Sequence, residues 1–352
     1  MSSPFADAAI NLALTPGEKI DLHRLMVRTR RLEQAAMLEY AAGQMGGWLS
    51  LQIGQEAIAA GFRSLLGQED HVISGYRAIG HAVASGVSME ACLAELFGKT
   101  SGCAKGKGGM MGMFHPAGRF WGGYSVAGAQ TPLAAGLAFA LKQRHVRGAV
   151  CCFLGDGAVN QGCFHEALNL AGLFNLPVIY VIENNQFGMY TSVQRASAYR
   201  DCLAKRAEGY DIDWDLINGD DVYEIRAKAH VAFERAYQES RPTVLEVSTY
   251  RFYGQSIADA NQKLYRTPEE IEERKLNHDP IVIWRQQLIA EGVLSEESAQ
   301  RISEEAKAES IAARAFARDA PAPEIADVMK DVYWESDHDT AASRVGWHFF
   351  DS

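Results

Sequence analysis

The chain has 352 residues, 47% apolar and 22% charged, with a formal net charge of −10. This length suits one large α/β unit or two modest ones, and it buries a core without disulfide or metal staples. The acidic balance, with no dominant cluster of Lys and Arg, excludes a typical nucleic-acid partner, and no apolar run reaches the ~18 residues of a membrane span.

Thr15-Pro16-Gly17-Glu18 is a capping box with proline at the first helical position. A long helix is predicted from Pro16 to about Gln44, because Leu22, Leu25, Met26, Leu32 and Ala36 recur at helical spacing. Gly46-Gly47 ends it. A second helix is predicted over Gln55 to Leu66, a short strand at Val72-Ile73-Ser74, and a helix from Met89 to Phe97. Gly102 to Gly128 is rich in Gly and Met and reads as a long loop, which in a compact unit is usually functional. Pro132 to Gln143 is a small-residue helix.

The centre of the chain is clearest. Ala149 to Leu154 and Pro177 to Ile182 are continuous apolar runs, the pattern of buried parallel strands, and Gln161 to Phe174 between them is helical. Such a βαβ unit has a right-handed crossover. Val222 to Glu239 is predicted helical and Thr243 to Val247 a further strand. A polar loop follows over Phe252 to Tyr265, then charged helices at Pro268–Arg274, Pro280–Glu291 and Ser295–Arg318. The expected fold is α/β, a parallel sheet flanked by helices with a helical C-terminal extension. Its expected segments are an N-terminal arm and long helix (1–45), the binding domain (46–260) and a helical region (261–352). The six cysteines form no C-x-x-C pair and read as reduced, and the N-terminus shows no export signal, so a cytoplasmic setting is expected.

Ligands of a parallel sheet bind beyond the carboxyl ends of its strands. Gly155-Asp156-Gly157 and Glu183-Asn184-Asn185 end two neighbouring strands of one βαβ unit, so Asp156 and Asn185 are expected to converge. A carboxylate plus an amide oxygen suits Mg²⁺ or Ca²⁺, with phosphate oxygens and water completing the shell. Gly155 and Gly157 let the backbone approach a diphosphate, and the following helix N-terminus faces the same place. Either tripeptide alone is an ordinary strand-end turn; the pair at this spacing is not.

These residues resemble the thiamine diphosphate motif. The segments Gly155-Asp156-Gly157-Ala158-Val159-Asn160-Gln161-Gly162 and Glu183-Asn184-Asn185-Gln186-Phe187-Gly188-Met189 resemble the alpha subunit of the 2-oxo acid dehydrogenase decarboxylase component, pyruvate and acetoin types especially. Gly54-Gln55-Glu56-Ala57, Tyr76-Arg77, Lys105-Gly106-Lys107-Gly108-Gly109, Val126-Ala127-Gly128-Ala129-Gln130, Tyr250-Arg251 and Tyr265-Arg266-Thr267 match as well. The resemblance runs from Gly17 to about residue 333. It implies a thiamine diphosphate-binding fold with Mg²⁺ held by Asp156, Asn185 and the Phe187 carbonyl. It implies that Tyr76 and Arg77 contact the diphosphate, that Ser125, Ala127, Gly157 and Ala158 line the cofactor, and that Met189 packs under it. It also implies a small 2-oxo acid substrate and a beta subunit, in an α2β2 assembly, that supplies the activating glutamate. A lipoyl acyltransferase core is a further expected partner.

Two positions depart from the family pattern. Ser50 stands where pyruvate-type members usually carry histidine, and Gln255 replaces the histidine of a Gly-His pair that takes part in acyl transfer. Glutamine donates a hydrogen bond to phosphate but does not titrate near neutral pH. Altered acyl transfer is therefore expected, unless His81, which is near the site in the family, or His115 substitutes. Two other functions stay open: a stand-alone two-subunit carboligase that forms acyloins, and a catalytically silent cofactor-binding subunit. The intact Asp156, Asn185, Tyr76 and Arg77 argue against the silent subunit.

Overall fold

A computed structural model describes residues 3–259 and 261–332. Residue 260 and the segment 333–352, the end of the predicted helical region, lie outside the described residues. The strands are β1 (His71–Gly75), β2 (Phe120–Tyr124), β3 (Val150–Gly155), β4 (Val178–Asn184), β5 (Asp213–Asn218) and β6 (Thr243–Ser248). They form one sheet in the order β2-β1-β3-β4-β6-β5, with every neighbouring pair parallel. The helices are α1 (Ala9–Leu12), α2 (Pro16–Ala41), α3 (Glu56–Arg63), α4 (Ile79–Ala84), α5 (Met89–Leu96) and α6 (Gln130–Gln143) in the first half. Then come α7 (Gly162–Phe174), α8 (Val193–Ala196), α9 (Val222–Glu239), α10 (Pro268–Asn277), α11 (Pro280–Ala290) and α12 (Glu296–Asp319).

The sheet is covered on both faces, which is why its central strands read as unbroken apolar runs. Successive side chains of β3 point to opposite faces. Cys151 and Phe153 join the core beneath α2, α3, α5, α9 and α12, whereas Val150, Cys152 and Leu154 join the core beneath α6 and α7. Each large apolar side chain buried there contributes about 1.5–3 kcal/mol. No helix among the described residues is long and apolar enough to cross a membrane.

The helix starts follow the sequence closely. Glu18 N–H donates to Thr15 Oγ1 at 3.3 Å while Thr15 N–H donates to Glu18 Oε2 at 2.8 Å, closing the predicted capping box. Asp221, Thr267, Asp279 and Ser295 cap α9, α10, α11 and α12 with their side chains, and Pro268 and Pro280 open theirs. Helix α2 ends at Ala41 rather than Gln44, because Gly43 turns the chain with a φ of +70°. Arg30 of α2 bridges Glu56 of α3 and Asp279, the cap of α11. Glu39, fully buried near the end of α2, is held by Arg314 and Arg318 of α12.

His23 on α2 is 2% exposed, and its Nδ1 lacks a partner. Burial first, then the charges of Arg285 and Arg24, lower its pKa to about 4. Between about pH 6.5 and pH 4 the unfolded chain takes up a proton that the folded chain refuses, so stability falls as pH drops through that window, by up to roughly 3 kcal/mol. His23→Gln is expected to flatten this dependence in urea unfolding measured across pH 4–7; an unchanged slope would assign the effect elsewhere.

Candidate functional site

The carboxyl ends of β1, β3 and β4 open into one cleft. Strand β1 delivers Tyr76 and Arg77, β3 delivers Asp156, Gly157 and Ala158, and the turn after β4 delivers Asn185 and Phe187. Ala127, Gly128 and Gln130 close the side where α6 begins. The convergence read from the strand ends is present.

Asp156 is 5% exposed, and burial pushes its carboxyl up to about 6, against the pull of Arg251, Arg77 and its neighbouring backbone N–H groups. Asn185 donates from Nδ2 to Gln55 Oε1 at 3.2 Å, while its buried Oδ1 has no partner among the described residues. The Phe187 carbonyl accepts from Arg251 Nη2 at 3.0 Å. Among the described residues no three His, Cys, Asp or Glu side chains gather as a metal cage. A cation beside Asp156 would therefore draw on neutral oxygens such as the orphaned Asn185 Oδ1.

Two buried guanidinium groups complete the electrostatics. Arg77 donates to the carbonyls of Leu51 and Gln255, and Arg251 to those of Tyr253, Phe187 and Gly188. No carboxylate stands among these acceptors. Burial lowers the pKa of Arg77, and the positive charge of Arg251 adds to that shift. Buried cations of this kind call for an anion, and a planar fork matches phosphate oxygens.

The remaining candidates occupy a supporting layer. Ser50 Oγ donates to the Gln255 carbonyl at 2.7 Å and accepts from Trp48 Nε1 at 3.0 Å, so it positions the loop after β6. Gln255 Nε2 donates to the Tyr76 hydroxyl at 3.1 Å, and its Oε1 is buried without a partner. His81 is 2% exposed, 3.0 Å from Glu183 Oε1 and stacked on Phe153, behind the cleft lining. His115 pairs with Phe120 at the start of β2, the end of the sheet away from the cleft. Ser125 and Met189 are exposed and do not line the cleft; Met189 keeps 45% of its surface free.

Sequence reasoning gave no role to Arg251, Glu183, Gln55 or Gln130. Arg251 lies just past the carboxyl end of β6, and the strand-end rule applied there would have found it. The loop it begins is held by a close approach: Phe252 N–H donates to the Ile53 carbonyl at 3.0 Å, and a Cβ on Gly54, with φ +101°, would lie 2.4 Å from the Tyr250 carbonyl oxygen.

A family model described as "Dehydrogenase E1 component" matches residues 24–326. The chain is 41% identical over 307 residues to the pyruvate dehydrogenase E1 component subunit alpha of Zymomonas mobilis, covering 87% of this chain and 86% of that protein. It is 38% identical over 315 residues to the protein of the same name in Rhizobium meliloti, covering 90% of each. It is 37% identical over 324 residues to the testis-specific mitochondrial form of that subunit in Rattus norvegicus, covering 92% of this chain and 81% of that one.

Proposed function

The chain belongs to the dehydrogenase E1 component family, and we propose that it is the alpha subunit of a thiamine diphosphate-dependent 2-oxo acid dehydrogenase of the pyruvate type. The observation that carries this reading is the orphaned Asn185 Oδ1 beside buried Asp156, facing a cleft that also receives Arg77. Asp156, Asn185 and the free lone pair of the Phe187 carbonyl would hold Mg²⁺, and Arg77 with Tyr76 would bind the diphosphate. Ala127, Gly157 and Ala158 would line the cofactor. Ser125 and Met189, exposed and next in sequence to residues near the cleft lining, would be free to meet a beta subunit that completes the site. The cofactor supplies the carbanion chemistry that decarboxylates a 2-oxo acid; this chain binds, orients and shields it. We assign cofactor binding to residues 46–260, flanked by 1–45 and 261–352. An α2β2 assembly, docking to a lipoyl acyltransferase core and a cytoplasmic location belong to the same proposal.

The residues around Gln255 decide the acceptor. Gln255 orients Tyr76 but moves no proton, and Ser50 is committed to the Gln255 carbonyl. His81 is bound to Glu183 and Gln52 behind the lining. This chain therefore offers no free imidazole for acyl transfer among the described residues lining the cleft, an observation that favours a second reading, an acyloin-forming carboligase. The test is co-expression with the beta subunit, loading with thiamine diphosphate and Mg²⁺, and measurement of CO₂ release from pyruvate with an artificial electron acceptor and, separately, with a lipoyl domain. Turnover with both supports the dehydrogenase; CO₂ release without lipoyl acylation supports the carboligase; no CO₂ despite bound cofactor overturns both. Gln255→His is expected to raise lipoyl acylation, since general acid–base help is worth roughly 10²–10⁴-fold. An unchanged acylation rate would remove Gln255 as its cause.

A further inference from the structure

A second polar cavity lies beyond the carboxyl ends of β5 and β6 and encloses about 260 Å³. It shares Phe187 with the cofactor cleft but none of the cleft's charged residues. The rule that places ligands beyond the strands of a parallel sheet applies here equally. Its lining sets the carboxylates of Asp220 and Glu270 against the Arg274 guanidinium, with the His278 imidazole beside Asp220. Arg274 and His278 stand one turn apart on α10 and its cap, so they share a face. Asp220, 8% exposed, meets His278 Nδ1 at 2.7 Å, and Glu270 accepts from the Tyr250 hydroxyl at 3.0 Å. The Arg274 guanidinium lies 5.5 Å from the centre of the Tyr250 ring, and the exposed Glu273 carboxylate is 3.8 Å from it.

An independent observation points to a ligand. Thr249 lines the cavity, is 6% exposed, and its hydroxyl has no partner among the described residues. Buried hydroxyls are normally satisfied, so an orphan on a cavity wall marks a place where a bound polar group belongs. A simple anion here meets Asp220 and Glu270. A simple cation meets Arg274. A ligand carrying both signs finds a partner of opposite sign for each of its charges.

We propose that this cavity binds a small α-amino acid, its carboxylate toward Arg274, its ammonium toward Asp220 and Glu270, and a polar atom within reach of Thr249. The test is calorimetric titration of the full chain in complex with its beta subunit. The probes are L-alanine, L-serine and L-glutamate, with acetate and methylammonium as single-charge controls. Saturable binding of at least one amino acid is expected, with both controls weaker by about tenfold or more. Arg274→Gln and Asp220→Asn are each expected to weaken it by a similar factor. Thr249→Val keeps the shape and removes the orphan hydroxyl, so it is expected to weaken binding while leaving the melting temperature unchanged or higher. A hydroxyl with a purely structural role would lower the melting temperature instead. Absence of saturable binding by all three amino acids, equal binding of either control, or affinity untouched by the three substitutions overturns the proposal.

Discussion

Asp156→Ala is expected to abolish metal-dependent binding of thiamine diphosphate while leaving the apo fold intact. The carboxylate is buried, its pKa is raised to about 6 by that burial, and no side chain among the described residues donates a hydrogen bond to it. Removing it therefore costs the apo protein little, and an unpaired buried charge is more often a burden than a support. Under the proposed assignment a bound metal would reverse the balance, because the same carboxylate would be its anionic ligand among the described residues. Removing outer-shell partners of a metal typically costs 10–100-fold in affinity, so losing the ligand itself is expected to cost more than about 100-fold. Wild-type protein should gain thermal stability on addition of thiamine diphosphate with Mg²⁺, as any ligand of the folded state alone produces. Asp156→Ala should melt at or above the wild-type apo temperature and gain nothing from the pair. A normal ligand-induced shift in the variant would show that the metal is held elsewhere.

Glu95→Ala is expected to loosen the glycine-rich loop and to slow turnover from a distance. Glu95 is 1% exposed at the end of α5, and its two oxygens accept four backbone N–H groups: Ala104 at 2.7 Å, Gly106 at 2.9 Å, Gly108 at 2.8 Å and Gly109 at 3.0 Å. No regular element satisfies those donors, so this carboxylate is what folds the loop. Each donor left buried and unpaired costs about 1–3 kcal/mol, which is enough for the loop to open to water instead. The effect has a route to the site. Met110, just past the loop, accepts from Ser50 N–H at 2.9 Å; Ser50 holds the Gln255 carbonyl; Gln255 holds Tyr76. Hydrogen exchange should rise across residues 102–113 in the variant, and kcat should fall more than the affinity for cofactor. Glu95→Gln keeps the volume but turns one oxygen into a donor facing donors, so it should fall between the two. Unchanged exchange in the loop would sink this account.

Much of this architecture was legible because the central strands are buried on both faces. The runs at Cys151 and Ile179 have no polar alternation to confuse them, and the residues that stop them are the ones that reach into the cleft. The edges were harder. Phe120–Tyr124 is a strand containing Gly122 and Gly123, residues that weaken strand signals, and it was absorbed into the predicted loop of Gly102–Gly128. Asp213–Asn218 carries two aspartates and passed without a strand prediction. Helix α4 escaped because Ile79–Ala84 is buried on every side and shows no amphipathic period. At the site, Asp156 and Asn185 came from strand ends alone. Ser50 and His81 were expected near the chemistry; the structure places them one layer behind the cleft lining, a distinction that depends on which side chains pair across the fold and that spacing does not encode.

Strand β5 ends the sheet, and its aspartates are not idle. Asp213 faces Arg235 at 3.1 Å and Asp215 faces Lys228 at 3.3 Å, both cations reaching down from α9. A fixed row of charge along an edge discourages a foreign strand from adding to it. This border is therefore a poor template for backbone pairing with another chain. A contact made at that end of the sheet would fall to helix and loop side chains, whose shapes discriminate, rather than to backbone pairing, which accepts almost any sequence.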